Sequence, residues 1–115
     1  MRIAVTSQNF RTITGHAGKA RRFIVYESDG VSEPVEVKRL DLPKEMSLHA
    51  YHGADHPLLG LGLKALVTQG AGAGFVGRLA QSGIEVVATS ASDPLEAVKA
   101  VAAGRALPPP APHEH

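Results

Sequence analysis

Ala65-Leu-Val-Thr68-Gln-Gly-Ala-Gly-Ala-Gly74-Phe-Val-Gly-Arg-Leu-Ala-Gln81-Ser-Gly-Ile84-Glu-Val-Val-Ala88 reads as a strand, a turn, a helix and a second strand in one pass. Ala65 to Thr68 is a short apolar run of the kind that fills a buried strand. Gln69 to Gly74 is a glycine-rich turn. From about Ala73 to Gln81, Phe75, Val76, Leu79 and Ala80 recur at helical spacing, and Gly83 supplies a stop. Ile84 to Ala88 is apolar and β-branched again. A strand, helix and strand in this order make a right-handed crossover and a parallel pair.

The preceding residues have a different pattern. Ile3 to Thr6 is a β-branched run, and Ser7 to Lys19 is a polar, glycine-punctuated loop. Arg22 to Ser28 alternates, with Phe23, Val25 and Glu27 on one face and Ile24 and Tyr26 on the other. Asp29-Gly30 is a turn signal. Pro34 to Leu42 places Val35 and Val37 against Glu36 and Lys38, a strand with one solvated face. These three strands predict an antiparallel meander or hairpin. Pro43 to Gly62 carries too many glycines and prolines for a long helix, but Asp55 could cap a short one with Pro57 in its first turn. After Ala88, Ser92 or Asp93 caps a last helix that starts at Pro94. It turns Leu95, Val98, Val101 and Ala102 to the core and ends at Gly104. The expected fold is α/β with a mixed five-stranded sheet, and its element order resembles the ribonuclease H-like three-layer architecture. Residues 1–106 form one domain, and residues 107–115, rich in proline, form a disordered tail.

Composition removes several function classes. At 115 residues the chain is long enough to bury a core without staples. Aromatic residues make up 4% with no Trp, which argues against the stacking platforms of single-strand binders. The formal net charge of +1 leaves no global footprint for nucleic acid. The absence of cysteine excludes disulfides, thiolate-held zinc, cysteine catalysis and thiolate-held iron–sulfur clusters. Any metal must therefore meet His or carboxylate, or arrive inside a preassembled group. No secretory leader and no membrane-length apolar run are present, so the expected location is cytoplasmic.

The chemistry concentrates in Thr14-Gly-His-Ala-Gly-Lys-Ala-Arg-Arg-Phe23. Gly15 and Gly18 let the backbone approach a ligand closely. His16 between them can coordinate a metal, and Lys19, Arg21 and Arg22 can neutralise an anion. No carboxylate lies between Arg11 and Arg22. The same residue types also suit a solvated basic turn. Gly70 and Gly72 stand where backbone N–H groups at a helix start can bind an anion, or where a strand must turn tightly into a helix. Gly72 to Gly77 matches G-x-G-x-x-G, but no acidic residue comes at the distance a dinucleotide site requires. His49, His52 and His56 cluster beside Asp55; His52 and His56 have the spacing of a helical metal pair, without the glutamate of a zinc peptidase. Ordinary loop histidines are the other reading. A hydrolase on this fold would need carboxylates on its strands, and Arg2 to Ser7 and Leu66 to Thr68 carry none.

From Met1 to about residue 106 the chain resembles the dinitrogenase iron–molybdenum cofactor biosynthesis family, which includes NifX, the cofactor-binding part of NafY and the C-terminal part of NifB. The resemblance rests on Met1-Arg-Ile-Ala-Val-Thr-Ser-Gln-Asn9 and on Thr14 to Phe23, where the family commonly shows a Gly-His-Phe-Gly-like motif, here with Ala17 in place of the aromatic, followed by a basic residue and an aromatic. It extends through Gly70 to Gly74 and Gly83 to Gly104. It implies a ribonuclease H-like fold and a non-catalytic carrier of the iron–molybdenum cofactor or its iron–sulfur precursor, none of it covalently held. His16, Lys19, Arg21 and Arg22 would face the cargo, and metallocofactor donor and acceptor proteins would be the partners, with neither nucleic acid nor membrane involved. A homodimer is compatible with this reading. The alternative is a regulator that binds a divalent metal or small anion through His49, His52 and His56.

Overall fold

The computed structural model of the chain describes residues 1–15, 19–47 and 56–110. Five strands, β1 (Arg2–Thr6), β2 (Arg22–Glu27), β3 (Val35–Asp41), β4 (Leu63–Thr68) and β5 (Glu85–Ala88), form one sheet in the order β3-β2-β1-β4-β5. β1 to β3 are antiparallel neighbours, whereas β4 is parallel to both β1 and β5. Helix α1 (Ala73–Gln81) joins β4 to β5, and α2 (Pro94–Ala102) comes after β5. The mixed α/β sheet read from the sequence is therefore present, with α1 placed between the residues that the glycine turn and Gly83 mark out.

The alternation of β2 explains why the centre of the sheet is apolar on both sides. Phe23 and Val25 pack with Ala4, Leu66 and Leu79 on the α1 face. Ile24 and Tyr26 pack with Ile3, Val5, Val67, Ala97 and Val98 on the α2 face. Strands covered on both faces become continuous hydrophobic runs, as β1 and β4 are. The two helices are anchored unequally. Asp93 caps α2 by accepting from the N–H groups of Leu95 and Glu96, and Ala97, Val98 and Ala100 are buried. In α1 only Leu79 is fully buried; Val76 and Ala80, which share its helical spacing, are exposed over the short edge strand β5.

β3 is the other edge, and it differs from the expected strand with one solvated face. Only Leu40 is buried. Lys38 pairs with Val25 and Glu36 with Tyr26, so Val37 is the extra residue of a bulge. Among the described residues no helix packs on this strand, and a bulge with charged side chains is the kind of feature that blunts an open sheet edge. Residues 107–110, expected to begin a disordered tail, instead lie against the body. Leu107 packs on the α2-side core, the Thr89 hydroxyl donates to the Pro108 carbonyl at 2.6 Å, and the Ser90 N–H donates to the Pro109 carbonyl at 3.1 Å. Proline has no N–H but keeps its carbonyl, which is what the docking uses. Among the described residues no helix is long and apolar enough to cross a membrane.

Candidate functional site

β1 and β4 lie side by side and parallel, but the chain leaves their carboxyl ends in opposite directions. After Thr6 it loops back to β2; after Thr68 it crosses through α1 to β5. Such a divergence opens a crevice outside the carboxyl ends of a sheet, where α/β proteins bind ligands. Here Thr6 and Thr68 face each other across it, their hydroxyl oxygens 3.1 Å apart and both residues fully buried. The Thr6 hydroxyl donates to the Thr14 carbonyl at 2.8 Å, and the Thr14 N–H donates back to the Thr6 carbonyl at 3.0 Å. The Thr68 hydroxyl lies 3.3 Å from the carbonyls of both Gly15 and Gly70. One hydroxyl carries one proton. With the Thr6 proton used on Thr14, the Thr68 proton serves Gly15, Gly70 or the Thr6 oxygen in turn.

This pair of threonines holds the loop after β1 in place. The loop is also fixed from within: the Asn9 side chain accepts from the N–H groups of Arg11 and Thr12, each at 2.9 Å, and the Ser7 hydroxyl donates to the Thr12 carbonyl at 2.6 Å. Phe10 takes a left-handed conformation, φ 56°, which is uncommon for a bulky residue. Between the loop and the start of β2 lies a cleft of about 360 Å3 lined by Gln8, Thr14, Gly15, Lys19 and Ala20. Among the described residues no carboxylate lines it. Gly15 has φ +82°, a conformation that suits glycine, and a Cβ there would meet no neighbour.

The candidate residues divide accordingly. Gly15 and Lys19 line the cleft, and Gly70 joins it through Thr68. Arg21 and Arg22 point to opposite faces, as alternation requires. Arg22 is engaged elsewhere: its guanidinium meets Asp41 at 3.2 Å and the Gln8 carbonyl at 2.9 Å, and lies over the Phe10 ring. Among the described residues, neither Lys19 nor Arg21 makes an ion pair with a carboxylate. Gly72 is the N-cap of α1 with φ −77° and no side-chain cap. Neither Gly72 nor Gly74 needs a left-handed backbone, and a Cβ at either would meet nothing within 4 Å. The first-turn N–H groups of α1 thus lack the carboxylate cap that Asp93 gives α2, at the end of the sheet where the cleft opens.

His16, Gly18, His49 and His52 lie outside the described residues. His56 is buried, with 1% of its surface exposed. Its Nδ1 accepts from the Leu58 N–H at 3.0 Å, capping the 3-10 turn Pro57–Gly60, and its Nε2 meets the Met46 carbonyl. That pairing requires the tautomer with the proton on Nε2. With the ring held so, neither nitrogen is open to an external metal, and the cap expected of Asp55 is made by His56. Among the described residues no three His, Asp or Glu side chains converge as a metal site. Thr6, Thr68, Gln8 and Thr14 do not stand out in the sequence as site residues. The available signal is the repeated Val-Thr at the ends of two predicted strands, Val5-Thr6 and Val67-Thr68.

Known proteins share this fold. The family model described as dinitrogenase iron-molybdenum cofactor matches residues 1–104. The crystal structure of PH0822 aligns with a TM-score of 0.68 at 22% identity, over 91% of this chain and 93% of that one. The NMR structure of the Thermotoga protein TM1290, of the DUF35 family and proposed to be a NifB protein, aligns with a TM-score of 0.57 at 19% identity, over 90% and 89% of the two chains. At these identities the two structures speak to the fold. No curated protein matches the chain. On the match across residues 1–104, the chain belongs to the dinitrogenase iron–molybdenum cofactor family.

Proposed function

We propose that this chain is a non-catalytic carrier of an anionic metallocofactor of the iron–molybdenum or iron–sulfur type, held at the cleft over the carboxyl ends of β1 and β4. The observation that carries the reading is the cleft itself. It offers Lys19, polar Gln8 and Thr14 and the bare backbone of Gly15, with no carboxylate among its described lining residues. The uncapped start of α1 adds partial positive charge at the same end of the sheet. A cluster that brings its own sulfides needs counter-charge and one or two further ligands, which a cysteine-free chain can supply. His16 is the proposed metal ligand, with Lys19 and Arg21 as counter-charge, and Gly15, Gly18, Gly70 and Gly72 as the close-approach backbone. Arg22 contributes less, because Asp41 already neutralises it. The sheet order and the helices on both faces support the ribonuclease H-like assignment. The chain would work in the cytoplasm between a donor and an acceptor of the cofactor. A divalent-metal regulator built on His49, His52 and His56 has weaker support, since His56 already uses both ring nitrogens.

The test is anaerobic titration of the parent, His16→Ala and Lys19→Ala with isolated iron–molybdenum cofactor at low and high salt. The expected result is binding by the parent that weakens as salt rises, because exposed cations act through screened charge, and weaker binding by both variants with little change in unfolding midpoint. No binding by the parent overturns the carrier reading; equal affinity in His16→Ala removes that residue from the site.

A further inference from the structure

Phe10 is the one non-glycine residue with a positive φ among the described residues, and it is bulky. Glycine or asparagine would adopt φ 56° at less cost. Such an outlier persists only where its surroundings over-determine it. Here they act from three directions. The Asn9 side chain accepts from the N–H groups of Arg11 and Thr12 and sets the turn around Phe10. The Phe10 ring packs on the α2-side core. Two guanidinium groups lie over the ring, Arg39 at 5.2 Å and Arg22 at 5.7 Å from its centre, both within the reach of a cation–π contact.

Both cations are held in place by carboxylates. Arg39 sits opposite Ile24 in the sheet register and donates to both oxygens of Glu36, at 3.1 and 3.2 Å. Arg22 meets Asp41 at 3.2 Å. Arg22 also leads to the cleft: its guanidinium donates to the Gln8 carbonyl at 2.9 Å, and the Gln8 N–H donates to the Thr14 hydroxyl. Gln8 and Thr14 line the cleft, whereas Phe10, Arg22 and Arg39 are not among its described lining residues. We propose that Phe10 is a positioning residue for the cleft: its ring, stacked with Arg22 and Arg39, ties the loop after β1 to the edge strand β3 and so sets the orientation of Gln8 and Thr14 toward a ligand. This rests on the carrier reading above and adds to it the element that prepares the cleft wall. A wall fixed before the ligand arrives loses less freedom on binding, so the stack raises affinity without touching the cargo.

Three variants test this role, each studied well below its unfolding midpoint so that all molecules are folded. Phe10→Leu keeps an apolar side chain on the core and loses the aromatic face. Arg39→Lys keeps the charge and loses the planar group that stacks. Phe10→Tyr keeps the ring. Amide exchange at Gln8 reads the wall with no ligand present: it should quicken in Phe10→Leu and Arg39→Lys and keep the parent's rate in Phe10→Tyr. Anaerobic titration with isolated iron–molybdenum cofactor reads the consequence. Phe10→Leu and Arg39→Lys should bind about two- to fivefold more weakly, the size of one such contact, and Phe10→Tyr like the parent. The salt dependence should match the parent in all three, because none removes a cation. A ring with a structural role alone would lower the midpoint and leave the affinity of the folded protein unchanged. Unchanged exchange at Gln8 in Phe10→Leu, or affinities equal to a binding parent, overturn the positioning role and leave the carrier reading standing. A changed salt dependence in Arg39→Lys assigns the effect to charge and overturns it as well. A parent that does not bind overturns the carrier reading, while exchange at Gln8 still decides whether Phe10 sets the wall.

Discussion

Thr68→Val isolates the device that holds the cleft. Valine keeps the branched shape of the side chain and removes one hydroxyl whose residue is fully buried. That hydroxyl reaches Thr6, Gly15 and Gly70 at 3.1–3.3 Å, and its single proton satisfies one acceptor at a time. The loss is therefore one net hydrogen bond, about 1 kcal/mol, increased where a carbonyl is left without a partner; about 1–2 kcal/mol in all is the expected destabilisation. For a domain near this size that lowers the unfolding midpoint by about 4–8 °C. Circular dichroism melts measure it directly. Amide exchange adds a local readout, since the Thr14 N–H bonded to the Thr6 carbonyl should exchange faster in the variant. Thr6→Val and the double variant complete a cycle, and neighbours in one network should fall short of additivity by about 0.5 kcal/mol or more. An unchanged midpoint together with unchanged exchange at Thr14 would refute the claim that this hydroxyl pins the loop.

His56→Ala should cost about 2–4 kcal/mol, because it empties a buried site and strands the Leu58 N–H and the Met46 carbonyl; an equilibrium denaturation series measures it, and a change within about 0.5 kcal/mol would contradict the capping role. Two truncations separate the docked part of the tail from the residues beyond it. Removing 108–115 deprives the buried Thr89 hydroxyl and the Ser90 N–H of their acceptors and should destabilise by about 1–3 kcal/mol. Removing 111–115 should leave the midpoint unchanged, and equal melts for the two truncations would show that the docking contributes nothing.

The parts of the fold written in local sequence were legible. The limits of α1 come from a glycine turn and Gly83, and the two faces of β2 come from plain alternation of Phe23 with Ile24. Features that depend on distant partners were not. Nothing near Val37 announces a bulge, because the mismatch lies in its pairing with Val25 and Tyr26 on the neighbouring strand. His56 has metal-pair spacing with His52, yet its role comes from the Met46 carbonyl, ten residues earlier. Proline-rich composition signals poor helix and sheet formation but is silent on carbonyl acceptors, so the docking of Pro108 and Pro109 was hidden. At the site, the stretch 14–22 stood out by its glycines and cations, but Thr14 and Gly15 are held by Thr6 and Thr68, which look like ordinary strand residues.

The threonine pair joins positions 62 residues apart. β1, β2 and β3 pair with their neighbours along the chain, whereas β1 meets β4 only after a long loop has closed, and contacts of that kind form slowly. The cleft is therefore assembled by the most delayed pairing in the molecule. A nascent or partly opened chain has the glycines and cations but no cleft to put them in. Any ligand bound there would be linked to the complete sheet, stabilising it by mass action and leaving when β1 and β4 separate. Occupancy of the cleft would then report that β1 and β4 are paired.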